Sequence, residues 1–234
     1  MKKNTWASIA SILLVMGLGA CSGDQDGEAE SSSPNQKEEP AASNSKGNST
    51  ETDSSENPAK DRPKEKSDTI QLEGIEESFQ FILHDSPRLG FSTYIVQDLL
   101  VEEESSEEGN TMNVYANFAG QKNKDARVQI FAKSAGTNLT AEEQTELAKE
   151  AVKSDGFKIE ERTDNRPNRF SWSESEFDIA KENSNEHTIV GTVSIFQHSG
   201  RYYYAIVHYP VEFEEGFIPR IVKMFEEMEW YETE

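Results

Sequence analysis

The chain predicts an α+β domain in which a curved antiparallel sheet is backed by two or more helices, after a disordered N-terminal tether. Three observations carry this. Of the 22 aromatic residues, 21 follow residue 68, so one aromatic-rich core lies in the C-terminal part. Eight short runs in that part read as strands, whereas only two segments carry helix signals. A long meander with few helices is the pattern of an α+β fold. The 234 residues divide into an apolar leader (1–20), a polar tract (21–68) and a single folded domain (69–234).

The leader opens Met1-Lys2-Lys3, a positive start, and continues as an apolar stretch over residues 7–20. That stretch is shorter than the roughly 20 residues a membrane-spanning helix needs; its form is that of a secretory signal peptide. The polar tract has no Val, Ile, Leu, Met, Phe, Trp or Tyr between residues 22 and 68, and 12 acids against 6 bases. Such a segment buries too little to offset its ordering entropy. Its flexible-chain reach is roughly 40 Å. Deleting residues 25–65 is therefore expected to leave the unfolding midpoint of the domain unchanged.

Within the domain the strand runs are 79–83, 91–96, 112–118, 127–132, 157–161, 170–177, 189–196 and 202–209. The first helix begins at Thr140-Ala-Glu-Glu143, a capping box with Thr140 as N-cap, and stops at Gly156. Leu147, Ala148, Ala151 and Val152 form its apolar face. The second runs from about 217 to 228, with Pro219 in its first turn and Phe217, Ile221 and Phe225 on its buried stripe. Ser199-Gly200 reads as a two-residue turn pairing His198 with Arg201 and Gly191 with His208. Phe196, Tyr203, Ala205 and Val207 then share one face, and Val193, Ile195, Tyr204 and Ile206 the other. Both faces are apolar, so the hairpin is central in its sheet, with helices on at least one side.

Two resemblances add to this. Leu18-Gly19-Ala20-Cys21 resembles the lipobox of bacterial lipoproteins. That resemblance implies cleavage between Ala20 and Cys21, fatty acylation of Cys21 and lipid anchoring on the extracytoplasmic face of the cell membrane. Two acyl chains anchor stably where one is marginal. The domain's order of elements, with Phe91-Ser-Thr-Tyr94, Gly200-Arg-Tyr-Tyr-Tyr204, the Tyr209-Pro210 exit and a closing helix, resembles the PsbP/DcrB-like fold. That fold implies a non-enzymatic accessory protein, and no functional residue carries over from it.

Chemistry is sparse. One cysteine excludes an intrachain disulfide and a CxxC site. A net charge of −21 argues against a nucleic-acid partner. No G-x-S-x-G, Walker or dinucleotide glycine pattern occurs. The hairpin register separates His198 from His208 by roughly 24 Å, too far to share a metal ion. His208 reads as a partly buried sheet histidine, and His84 could lie near any of the other three. The acidic run 101–109 lacks the spacing of a calcium loop and reads as a solvated loop. Glu174, Glu176 and Asp178 alternate onto one strand face, the expected solvent side, rather than forming a glycosidase pair. Tyr202, Tyr203, Tyr204 and Tyr209 are the candidate aromatic binding surface, set against a core-filling role. The expectation is a lipid-anchored domain that binds or supports another envelope component, with no catalysis, cofactor or metal. A small-ligand or ion-binding sensor module and an unrecognised hydrolase are the alternatives.

Overall fold

The computed structural model describes residues 58–137, 139–160, 162, 166–182 and 187–231. The chain divides into two units, Met1–Glu51 and Thr52–Glu234, and every described residue belongs to the second. The leader, Ala20, Cys21 and most of the polar tract lie outside the described residues. Among those described, no helix is long and apolar enough to cross a membrane.

The domain is built from two antiparallel sheets and two helices. The small sheet has the order β1 (Glu65–Leu72), β2 (Ile75–Ser86), β3 (Phe91–Val96), β11 (Glu229–Trp230). The large, curled sheet runs β4 (Leu99–Ser105), β5 (Asn110–Ala116), β6 (Asn123–Ala132), β10 (Arg201–Pro210), β9 (Thr188–His198), β8 (Ser175–Glu182), β7 (Lys158–Glu160). The predicted class holds, with two sheets in place of one.

The central hairpin has the predicted register: His198 faces Arg201, Phe196 faces Tyr203 and Gly191 faces His208. Ser199 and Gly200 both have positive φ, 47° and 79°, as this two-residue turn requires. Gly191 is required for space, because a Cβ there would lie 2.4 Å from the Val207 carbonyl oxygen.

Both sheet faces are covered. α1 (Ala141–Ser154) starts at the predicted capping box: the Thr140 Oγ1 accepts from Glu143 N and the Glu143 carboxylate accepts from Thr140 N. It lays Ala148 and Val152 on Val193, Ile195, Tyr204 and Ile206. On the opposite face, α2 (Glu214–Glu226) buries Phe217, Ile221, Met224 and Phe225 against Phe196, Tyr203, Val207 and Tyr209. α2 also packs on β1 and β3, so it lies between the two sheets, where the Thr93 hydroxyl donates to the Met224 carbonyl.

Several boundaries differ from expectation. The ordered domain begins before residue 69: β1 starts at Glu65, and Arg62 is packed ahead of it. Apolar content marked the boundary too late because this arm docks through polar groups. Arg62 donates to the Ser92 carbonyl (3.2 Å) and the Glu227 carbonyl (2.9 Å), with its guanidinium 4.5 Å from the Tyr94 ring centre. The 25–65 deletion would therefore remove native contacts.

The 101–109 run is not a loop throughout. Glu102, Glu103 and Glu104 stand on β4, where charge on an edge strand discourages further pairing. The 112–118 strand ends at Ala116, and the 170–177 strand starts only at Ser175. Residues before Ser175 turn back, with Ser173 N donating to the Phe170 carbonyl at 3.0 Å. α2 starts at Glu214, ahead of the expected 217, because Glu214 and Glu215 suit a helix N-terminus. Pro219 consequently falls in the second turn rather than the first.

Candidate functional site

The predicted tyrosine surface is corrected by burial. Tyr203, Tyr204 and Tyr209 are core residues, and only Tyr202 is part-exposed. The Tyr203 hydroxyl donates to the Leu89 carbonyl at 2.9 Å. Tyr204 stacks on Phe131 at 4.9 Å. The Tyr209 hydroxyl accepts from Arg169 (2.9 Å) and donates to Glu214 (3.1 Å). These groups fill the sheet faces, and the Tyr203 and Tyr209 hydroxyls are anchored rather than presented.

What the fold presents is an aromatic cleft of about 240 Å³, formed where the C-terminal end of α2, β11 and the 170–174 turn meet the end of β9. Trp172, Phe225, Met228 and Trp230 form its sides, with Phe196, Gln197 and His198 completing it. Phe196 links the two tryptophans, with ring centres 4.8 Å from Trp172 and 6.0 Å from Trp230. His198 stacks on Trp230 at 4.6 Å. Burial pushes the His198 pKa down, so the imidazole is neutral at pH 7. Trp172 retains 36% exposure, which is high for a residue contacting three other rings. An exposed tryptophan beside an apolar hollow is characteristic of a binding site.

Trp172 is held in place by a buried carboxylate. Glu176 has a fully buried side chain, against the solvent side expected for it. Its Oε1 accepts from Phe170 N (2.9 Å), Ser173 Oγ (2.9 Å) and Ser194 Oγ (3.1 Å). Its Oε2 accepts from Arg169 N (2.7 Å) and Arg162 Nη1 (2.6 Å). Alternation did place Glu176 and Asp178 on one face, but the 166–174 segment folds over that face. Burial alone would raise the Asp178 pKa. The Arg162 guanidinium, bonded to both of its oxygens, holds it low instead.

Beside this clamp lies a polar cavity of about 480 Å³, lined by Arg162, Arg166, Arg169, Asp178, Thr192 and Tyr209. Its cations are already matched: Arg162 by Glu176 and Asp178, Arg166 by Asp178, Arg169 by Glu214. A third cavity, of about 260 Å³, adjoins the aromatic cleft and shares His198 with it.

The histidines do not converge. His84 pairs with Glu103 at 3.0 Å and His187 with Glu212 at 2.9 Å. His208 is fully buried, more than expected, and its Nδ1 lies 3.1 Å from the Asp125 carbonyl oxygen. Its contact is with a backbone carbonyl, not the carboxylate a catalytic triad would need. No group of three or more His, Cys, Asp or Glu among the described residues could hold a metal ion.

The cleft went unseen in the sequence. One signal was available: of the chain's three tryptophans, the two outside the leader both line it. Comparison with known proteins leaves the reading to this geometry, since no protein-family model matches the chain and no curated protein matches it in sequence.

Proposed function

We propose that this is a membrane-anchored extracytoplasmic lipoprotein whose domain, of the PsbP/DcrB-like type, binds another envelope component without catalysis. The aromatic cleft is the observation that carries the binding reading. It joins an exposed Trp172, a rigid carboxylate clamp beneath it and a neutral His198, and among the described residues no Ser, Thr, Cys, Asp or Glu lines it. The lipobox-like Leu18-Gly19-Ala20-Cys21 supports the anchor, and the polar tract supplies a spacer.

The test is a photo-crosslinking residue at Gln197, which is exposed and lines the cleft, in intact bacterial cells. A single adduct of defined mass, lost in Trp172→Ala, is expected. Turnover of a wall or lipid substrate by the purified protein would overturn the non-catalytic reading.

A further inference from the structure

The aromatic cleft and its polar neighbour share His198, and their charge environment is unusual for this domain. Residues 69–234 carry 32 acids against 15 bases. Yet among the described residues neither cavity is lined by Asp or Glu. The third cavity, of about 260 Å³, is instead lined by Arg201. Six other arginines (62, 127, 162, 166, 169 and 220) pair with carboxylates. Arg201 makes no ion pair with a described residue. Its Nε and Nη2 donate to the Lys133 carbonyl and its Nη1 to the Arg88 carbonyl at 2.9 Å.

Neutral carbonyls fix the guanidinium but leave its charge unmatched. Three of its five N–H groups donate to these carbonyls, and the guanidinium also interacts with the Tyr203 hydroxyl, opposing the rise that burial gives that group's pKa. Arg201 reaches the cleft through a short aromatic relay. It lies 5.2 Å from the Tyr203 ring centre, and Tyr203 lies 5.1 Å from Trp230.

We infer that the two cavities form one bipartite site for the C-terminus of a partner polypeptide ending in an aromatic residue: the ring enters between Trp172 and Trp230, and the terminal carboxylate pairs with Arg201. This rests on the binding function proposed above and specifies its occupant. A guanidinium held by backbone carbonyls is preorganised for a carboxylate, whose charge it can match through a charge-assisted hydrogen bond. The rings supply apolar area on the other side of His198. Together the cavities approach the size of ordinary ligand sites, larger than a lone ring requires.

The test uses the whole chain purified in detergent, with tryptophan fluorescence and calorimetry as readouts. The probes are N-acetyl-Ala-Ala-Phe as free acid, the same peptide as C-terminal amide, N-acetyl-Ala-Ala-Ala as free acid, and 3-phenylpropionate. The Phe free acid should bind saturably, at least about tenfold tighter than the other three, consistent with one charge-assisted pair or one buried ring. Arg201→Met should erase the preference for acid over amide. Trp172→Ala should erase the preference for Phe over Ala. The acid–amide comparison is made on the unaltered protein, so it stands even if Arg201→Met does not fold. Equal, Trp172-dependent binding of acid and amide overturns the carboxylate assignment while leaving the cleft as a binding site. Binding of 3-phenylpropionate as tight as that of the Phe peptide overturns the polypeptide assignment. Binding of none of the four overturns this site, whereas the functional reading falls separately, if no Trp172-dependent adduct forms at Gln197 in intact cells.

Discussion

At the scale of single residues, Glu176 and His208 show two ways of burying an ionisable group. Glu176 is buried with five donors around its carboxylate, one of them a guanidinium. Glu176→Gln keeps the shape but turns an amide N–H toward Arg169 N or Arg162. It should destabilise the domain by about 3 kcal/mol, the range for breaking a buried pair on one side. Denaturant unfolding measures that loss. A red shift of Trp172 emission in the folded variant reports release of the turn. His208 is instead kept neutral, with a pKa pushed down to about 3, by burial first and by the nearby Arg127 charge second. The Asp125 carbonyl opposes this, and Lys181 adds to it. The unfolded chain takes up this proton near pH 6.5 and the folded chain does not. Stability is therefore complete above pH 6.5 and falls as pH drops toward 3, by about 1.4 kcal/mol per unit from this group. Between pH 6 and 4.5, His208→Gln should show a shallower loss of stability than the unaltered protein. An unchanged slope would mean that His208 is protonated in the fold.

At the scale of elements, the arm ahead of β1 behaves as part of the small sheet. Arg62 ties β3 to the end of α2, the Tyr94 hydroxyl donates to the Pro63 carbonyl at 2.7 Å, and Leu83 N donates to the Lys64 carbonyl at 2.9 Å. Lys66 adds an ion pair to Glu227 at 2.7 Å, and Asp68 one to Lys223 at 2.8 Å. A chain starting at residue 66 should be less stable than one starting at residue 58 by about 3 kcal/mol. That corresponds to a midpoint lower by roughly 6–12 °C for a domain of this size. Equal melting curves would show that the arm contributes nothing. α2 has its own fastening: Arg220 bonds Asp98 through Nε (3.0 Å) and Nη2 (2.9 Å), with Phe79 below its guanidinium at 4.6 Å. That pair joins the turn between β3 and β4 to the helix that separates the sheets.

At the scale of the whole molecule, the strongly acidic balance bears on how the protein is held. A domain with net charge −17 over residues 69–234 is repelled by anionic headgroups, so the membrane anchoring proposed above would rest on the lipidated Cys21 and not on the domain surface. Cys21→Ser should abolish incorporation of labelled fatty acid and the lipoprotein-specific cut after Ala20. The domain should keep its melting curve, because the chain has no second cysteine to pair with the lost thiol. Acyl label and membrane attachment that survive in the Ser variant after high-salt washing would overturn the lipoprotein reading.

Local rules made much of the fold legible in the sequence. The Thr140 capping box, the Ser199-Gly200 turn and the two-faced apolar hairpin rest on neighbours within a few residues, and they stand where the pattern put them. The assignment of Phe196 and Tyr203 to one core and Ile195 and Tyr204 to the other follows from the period of two along a strand. Tertiary structure decided what depended on remote partners. Alternation placed Glu176 on a face, but only the fold of residues 166–174 made that face an interior. The polar arm at 62–68 looked like more of the tract before it, because hydrogen bonds to distant carbonyls leave no trace in local hydropathy. The cleft gathers Trp172, His198, Phe225 and Trp230 from four separate segments. No local pattern links them, since their proximity is set by how α2 and β11 close over the end of the sheet.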